Sequence, residues 1–385
     1  MNPLQTVLAV LIAAGAPAAF LLIIYTLDLY ASRTFRLVVL CFGWGAVGAF
    51  GLSYLLNTYI GLPLGRALGA TNPYLLLTVA IAPVIEETVK SLSLFYVSRR
   101  SEFTYFVDGA IYGFAAGIGF SIIENFLYLS QNPGMGIPLA LIRSFSTCLM
   151  HGTAAGLVGA AVGRFRFRRR SGQGLGMVGG WLAAILLHAL FNGISRTPAL
   201  SESLTTVVAV GIGLAGVGLI GFFINLGLRE EQQWLAETLD RRVGVTAAES
   251  RMVQSYASLD EFLQPIIEQF PREAEQVEAF LLRQAQLGIK RKVQQRVSDP
   301  KLQEQLGQEV AQLQAEMNQI RRDVGVYVMS YVRSVFPDEA LPIWSRLEHL
   351  AAQGGSADLQ RWSQMLTTET SGPPRQSIFA SLQER

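Results

Sequence analysis

Seven side chains in the first half of this chain are of kinds that do chemistry: Glu86, Glu87, Lys90, Glu124, His151, His188 and Asn192. Each falls in a stretch apolar enough to cross a bilayer. An ionisable side chain at bilayer depth costs at least roughly 2.5 to 3.5 kcal/mol on insertion scales. Three of them in AIAPVIEETVKSLSLF, residues 80–95, therefore require partners, water or chemistry on the protein side. Residues three or four apart share a helical face, so Glu86 can reach Lys90 and Glu87 competes for it. Phe120 and Glu124 stand four apart and add a third carboxylate, His151 follows in the next segment, and His188 and Asn192 project from one face at i and i+4. Of three histidines in the chain, these are two. Singly, each residue reads as an interhelical hydrogen bond or a buried salt bridge that fixes packing. Together, four consecutive apolar segments each bring an acid, a His or an Asn. Clustered carboxylates cannot all stay ionised, so one becomes a general base or acid, while a histidine and an amide beside it can donate to an oxyanion.

Positioning these groups requires membrane helices. Apolar runs of spanning length lie near 4–27, 36–60, 73–97, 107–130, 138–163, 174–195 and 204–227, which predicts an all-α bundle of about seven spans. The first run has Pro17 within it and no basic flank, and it reads as a retained span. Alternate loops are basic: Arg33 and Arg36, then Arg99 and Arg100, then Arg164, Arg166, Arg168, Arg169 and Arg170, against only Arg66 and Arg196 between them. The positive-inside rule places the N-terminus outside and the C-terminal segment in the cytoplasm. With a rise of about 1.5 Å per residue, Glu86 and His151 lie roughly 20 Å, and His188 and Glu124 roughly 10 Å, below the outer ends of their spans, so that helix tilt can bring them to one level. Small residues at helical spacing, Gly109, Gly113 and Gly117, Gly152 and Gly156, and Gly211, Ala215 and Gly218, predict close helix contacts. Asp28, Asp108 and Arg143 sit near span ends, where a charge snorkels or meets headgroups. The arginine run at 164–170 reads as a topology or lipid-phosphate signal, not a nucleic-acid site.

Composition agrees. Of 385 residues, 50% are hydrophobic and 16% charged, and the mean hydropathy is +0.33. An ordinary soluble protein is less apolar. Residues 1–228 carry 13 Lys and Arg against 7 Asp and Glu, whereas residues 229–385 carry 18 against 22. Hence a membrane domain at 1–228, a soluble helical cytoplasmic domain at 229–370 and a disordered tail at 371–385 are expected. Start signals at Ser258 to Glu261 and Asp299-Pro300, and a stripe of Leu302, Leu306, Val310, Leu313 and Met317, predict helices that pair as a hairpin or short coiled coil, a face for self-association or a protein partner. Cys41 and Cys148, each within an apolar run, give no disulfide framework or CxxC zinc site.

The polar residues carry a resemblance. Glu86-Glu87-Thr88-Val89-Lys90 matches EExxK, Phe120 to Glu124 matches FxxxE, and His151 and His188 with Asn192 match later motifs of the PrsW family of intramembrane proteases, relatives of the CAAX prenyl endopeptidases. The similarity covers roughly residues 70–200. CAAX peptidases have EExxxR and FxxxH, from which Lys90 and Glu124 depart, so a prenylated substrate is not expected. The resemblance implies hydrolysis of a peptide bond in a membrane-associated protein, PrsW-type members cutting anti-sigma factors on the outer side. Two mechanisms fit. In one, without metal, Glu86 or Glu87, helped by Glu124, activates water while His188 and Asn192 stabilise the oxyanion, with Lys90 and His151 in support. In the other, Glu124, His151 and His188 hold Zn²⁺ and Glu86 is the base. No HExxH is present, motif spacing leaves both mechanisms open, and the metal-free version is the preferred expectation.

Two other classes would also bury acids and histidines in a bundle. A proton-coupled transporter or channel would show paired motifs in repeated halves, and no repeat relates spans one to three to spans four to six. A non-catalytic scaffold would not need a chemically competent residue at every motif position.

Overall fold

In a computed structural model of the chain, the residues described are 3–28, 35–168, 170–197, 200–239 and 266–334, with 245, 250, 253 and 264. The tail expected at 371–385 and the start signal at Ser258 to Glu261 lie outside them. Among the described residues there is no strand. Six helices are long and apolar enough to cross a membrane: Pro3–Thr26, Phe35–Ala67, Phe106–Gln131, Gly136–Phe165, Gly172–Ser195 and Glu202–Thr238. A further helix covers residues 73–97, the third of the seven expected spans, and is set apart by the charges of Glu86, Glu87 and Lys90. In chain order the helices are α1 (Pro3–Thr26), α2 (Phe35–Ala67), α3 (residues 73–97), α4 (Phe106–Gln131), α5 (Gly136–Phe145), α6 (Thr147–Phe165), α7 (Arg170–Ser195) and α8 (Glu202–Thr238).

The centre of the bundle is the α4/α6 pair. Small residues let the two backbones touch: a Cβ on Gly113 would lie 2.2 Å from the Ala155 carbonyl oxygen, and one on Gly117 would lie 2.1 Å from that of His151. The glycine stripe thus sets the depth and rotation of the His151 segment. Helix α8 packs on the end of α5 through Gly213 and on α6 through Gly216, whose added Cβ atoms would meet the Phe145 carbonyl oxygen at 2.3 Å and Thr153 Oγ1 at 2.4 Å. Gly211 and Gly218, the expected contact residues of this span, face open space, because the small-residue pattern runs on two faces of the helix and spacing alone does not choose between them.

Helix α3 begins with Asn72, whose side chain accepts from the Leu75 N–H at 3.0 Å, followed by Pro73 at a position that needs no N–H. It is held against α2 by Trp44, whose indole N–H donates to the Val89 carbonyl at 3.0 Å. One wide, π-type turn at Leu77–Ile81 interrupts it, and α2 has two such turns, Trp44–Ala49 and Asn57–Gly61. Such insertions mark functional segments more often than plain helix.

Charges at the arginine-rich end turn inward rather than toward headgroups. Asp108 is fully buried and accepts from the Thr104 N–H at 2.7 Å, closing the start of α4, and Asp28 is buried too. Arg164 pairs with Glu230 and Tyr105, and Arg166 donates to the carbonyl oxygens of Arg100 at 3.2 Å and Thr104 at 3.4 Å. These arginines fasten loops to helix ends, so their number reflects packing as well as topology.

Beyond the bundle, α9 (Ala274–Arg296), α10 (Pro300–Val324) and α11 (Val326–Ser334) follow. Asp299 accepts from the N–H groups of Lys301 and Leu302, Pro300 occupies the first helical position, and Gly325, at φ +83°, ends α10. The ion pairs Arg283–Glu316 and Lys290–Glu309 run antiparallel, so α9 and α10 form the expected hairpin, with Leu306, Leu313 and Met317 of the predicted stripe buried. The hairpin rests on the end of α8: Gly288 meets Leu235, Leu239 and Thr238, and Arg291 donates to the Thr238 carbonyl at 2.7 Å. The composition change at residue 229 falls inside α8, which continues to Thr238.

Candidate active site

Glu86 and Glu87 are neighbours in sequence and point to different places, because successive residues on a helix are about 100° apart. Glu87 is fully buried, and its Oε1 is the hub of the site: Lys90 Nζ donates to it at 2.7 Å, His188 Nδ1 lies at 2.9 Å and His151 Nδ1 at 3.8 Å. Glu86 instead faces a cavity of about 380 Å³ whose lining includes Glu124, Arg143, His151, His188 and Asn192. Asn57 donates to Glu86 Oε1 at 3.2 Å and fixes the carboxylate. Its other oxygen, Oε2, is buried with no hydrogen-bond partner and lies 3.9 Å from His188 Nε2.

The hydrogen bonds set the histidine tautomers. The Lys90 ammonium can only donate, so at 2.8 Å it makes His151 Nδ1 an acceptor and leaves the ring proton on Nε2, which faces Glu124 Oε2 at 3.3 Å. His188 does the reverse. Its Nδ1–H points at the Glu87 carboxylate, leaving a bare lone pair on Nε2 toward Glu86. The two rings are perpendicular, with centroids 4.7 Å apart, and Phe120 packs on His151 at 5.1 Å and on Lys90 Nζ at 4.2 Å. In this tautomer His188 turns an acceptor toward the cavity, and it could serve as an oxyanion donor only when protonated.

All seven residues singled out from the sequence meet here, with Glu87 and Lys90 buried behind the cavity wall. Asn192 lines the cavity and donates through Nδ2 to the Thr78 carbonyl at 2.8 Å. Arg143, expected at a span end, is a member of the site: it donates from Nη2 to Glu124 Oε2 at 2.6 Å, from Nε to Asn125 Oδ1 at 2.8 Å, and lies 3.7 Å from the Tyr128 ring centroid. Asn57 was not foreseen either. The only trace of these two is that each is polar within an apolar run.

A metal ion could be held by three side chains. One donor atom each from Glu86, His151 and His188 lie within 4.8 Å of one another, two imidazoles and a carboxylate, a ligand set that suits Zn²⁺. Glu86 replaces the Glu124 expected in that set, since Glu124 is turned to Arg143. His188 carries the carboxylate partner on Nδ1 that metal-binding histidines usually have. His151 would have to give up its Nε2–H bond to Glu124.

Residues 33–222 match the family model described as PrsW family intramembrane metalloprotease. The curated relative Protease PrsW of Halalkalibacterium halodurans is 30% identical over 188 residues, 48% of this chain and 83% of that protein. No solved structure matched the chain. With the helical bundle and the polar cluster in its interior, these similarities establish that the chain belongs to the PrsW family of intramembrane proteases.

Proposed function

We propose that this chain hydrolyses a peptide bond of a membrane-associated protein, with Glu86 activating the attacking water. The observation that carries the reading is Glu86 Oε2, buried, without a hydrogen-bond partner and 3.9 Å from Nε2 of His188, the ring nitrogen turned away from Glu87. Two acceptors at that spacing are bridged by one water that donates to both, at about 2.8 Å each. Glu86 takes a proton as the water oxygen attacks the carbonyl carbon. The proton passes to His188 Nε2, and the Glu87 carboxylate on Nδ1 stabilises the imidazolium and fixes its orientation, as the acid of a Ser-His-Asp triad does. His188 then delivers the proton to the amine nitrogen as the C–N bond breaks. Asn192 spends one amide N–H on Thr78 and offers the other to the oxyanion. Glu124 and Arg143 line the same cavity and bound the space for the substrate backbone.

The family description implies a metal, and Glu86, His151 and His188 are the residues that would hold it. When bound, it would supply Lewis-acid polarisation of the scissile carbonyl and of water. With the N-terminus outside, the cavity end lined by Ser195 and Arg196 lies toward the outer half of the membrane, which fits a single-span substrate of the anti-sigma-factor kind. Residues 229–370 then form a cytoplasmic domain that recruits a partner or a second copy.

The test compares the N-termini of membrane proteins in cells expressing the parent or Glu86→Gln, whose amide cannot accept a proton. Peptide termini present only with the parent are expected. If none depends on Glu86, the proteolytic reading fails. Repeating the cleavage with purified protein and a zinc chelator, then restoring zinc, decides the metal.

A further inference from the structure

The anchor of Asn192 is an irregularity in another helix. At the wide turn Leu77–Ile81 the Ala82 N–H bonds to Leu77 O, five residues back. In a regular α-helix that N–H would serve Thr78 O. In the wide register the Thr78 carbonyl would instead look to the N–H of residue 83, and residue 83 is proline, which has none. Thr78 O is thus stripped of a donor from its own helix, and a backbone carbonyl left unpaired away from water is costly. Asn192 Nδ2, from α7, supplies the missing donor at 2.8 Å. Because Asn192 stands four residues after His188, the same bond fixes the face of α7 that carries both.

We propose that Pro83 is a positioning residue for the active site: it creates, in Thr78 O, the acceptor that holds the Asn192 amide at the cavity. The inference rests on the proteolytic reading only for its consequence in catalysis; the linkage from Pro83 to Asn192 stands on geometry. Pro83→Ala returns an N–H to α3, lets Thr78 O close onto its own helix and frees Asn192.

The experiment is a double-mutant cycle on thermal unfolding of the full chain in detergent, with Pro83→Ala, Asn192→Ala and both. Asn192→Ala is expected to lower Tm in the parent and to lower it by less than half as much in the Pro83→Ala background, where Thr78 O no longer depends on it. Equal losses in the two backgrounds overturn the proposal. Asn192→Asp, which keeps the shape and removes the donor, should repeat the pattern, so that the cycle does not rest on one variant. A spectroscopic arm uses protein labelled with ¹⁵N-asparagine: the side-chain amide resonance lost in Asn192→Ala is expected to shift and exchange faster in Pro83→Ala, and an unmoved resonance overturns the proposal. Neither readout needs a substrate. A coupled pair in an inactive parent would therefore sink the proteolytic reading alone, and an active parent with uncoupled residues would sink this one alone. Where the parent cleaves a peptide, Pro83→Ala should lower kcat with KM held, as expected for a donor that acts in the transition state.

Discussion

Two ion pairs in this molecule have nearly the same length and opposite surroundings. Lys90–Glu87, at 2.7 Å, has both side chains fully buried in the bundle, whereas Arg283–Glu316, at 2.8 Å on the α9/α10 hairpin, has both more than a third exposed. Their regions are built inside out with respect to each other. In the bundle, charges converge inside while Leu11, Leu22, Val47 and Leu186 are exposed to what must be lipid. In the hairpin, Leu281, Leu287, Leu306 and Met317 are inside and the charges face water. The difference teaches that geometry does not fix the worth of an ion pair. The exposed pair is replaceable by water, whereas losing either half of the buried one leaves an uncompensated charge, and the buried pair orients the site: Glu87 presents one oxygen to Lys90 and His188 together.

The contrast breaks most sharply at Lys90. Lys90→Met strands the Glu87 carboxylate, and a loss of about 3–5 kcal/mol is expected, because half a buried pair is worse than none. Cys41 and Cys148 are buried free thiols, so a thiol-reactive dye reads the unfolding directly. A variant as stable as the parent would mean that Glu87 is reached by water. Glu87→Met with Lys90→Met sharpens the point: stability should return to within about 1–3 kcal/mol of the parent, since an apolar pair of similar volume often substitutes well. Cleavage should stay lost, because His188 then has no acceptor on Nδ1. Activity in the double variant would remove Glu87 from the mechanism.

Gly117→Ala is next. The new methyl would meet the His151 carbonyl oxygen at 2.1 Å, and pushing α4 and α6 apart costs about 1–3 kcal/mol, with a larger fall in activity than in stability because His151 moves with α6. Equal falls would count against that coupling. The smallest effect belongs to the hairpin: Arg283→Ala should change stability by under about 1 kcal/mol, and less in high salt. A loss comparable with that of Lys90→Met would dissolve the comparison.

The sequence makes the carboxylate and histidine positions legible because ionisable groups in apolar runs are rare and each is a question in itself. It does not make their roles legible. Whether Glu86 or Glu87 faces the cavity depends on how α3 is rotated, and that rotation is set by Trp44 and by the turn at Leu77–Ile81, neither of which leaves a periodic signal. Arg143 looked like a snorkelling residue because a lone charge near a span end reads the same whether it turns outward or inward; only the positions of Glu124 and Asn125 across the helix pair decide it. The bundle was readable as hydropathy, and the hairpin as the cap at Asp299 and the stripe that follows. That α8 joins the two without a break was not, since its composition changes in mid-helix.

That unbroken helix has a mechanical meaning. Thirty-seven residues at about 1.5 Å each make a rod of about 55 Å, whereas the hydrocarbon core is about 30 Å thick, so a large part of α8 stands clear of the membrane. Its far end carries the hairpin, and its near part meets the α5/α6 junction at Gly213 and α6, the helix that bears His151, at Gly216. Between the hairpin and Gly216 this rod is braced, at Gly227 against Val107 and Phe106 and at Glu230 by Arg164, so the hairpin is joined to the bundle along a strut and not through a loose linker.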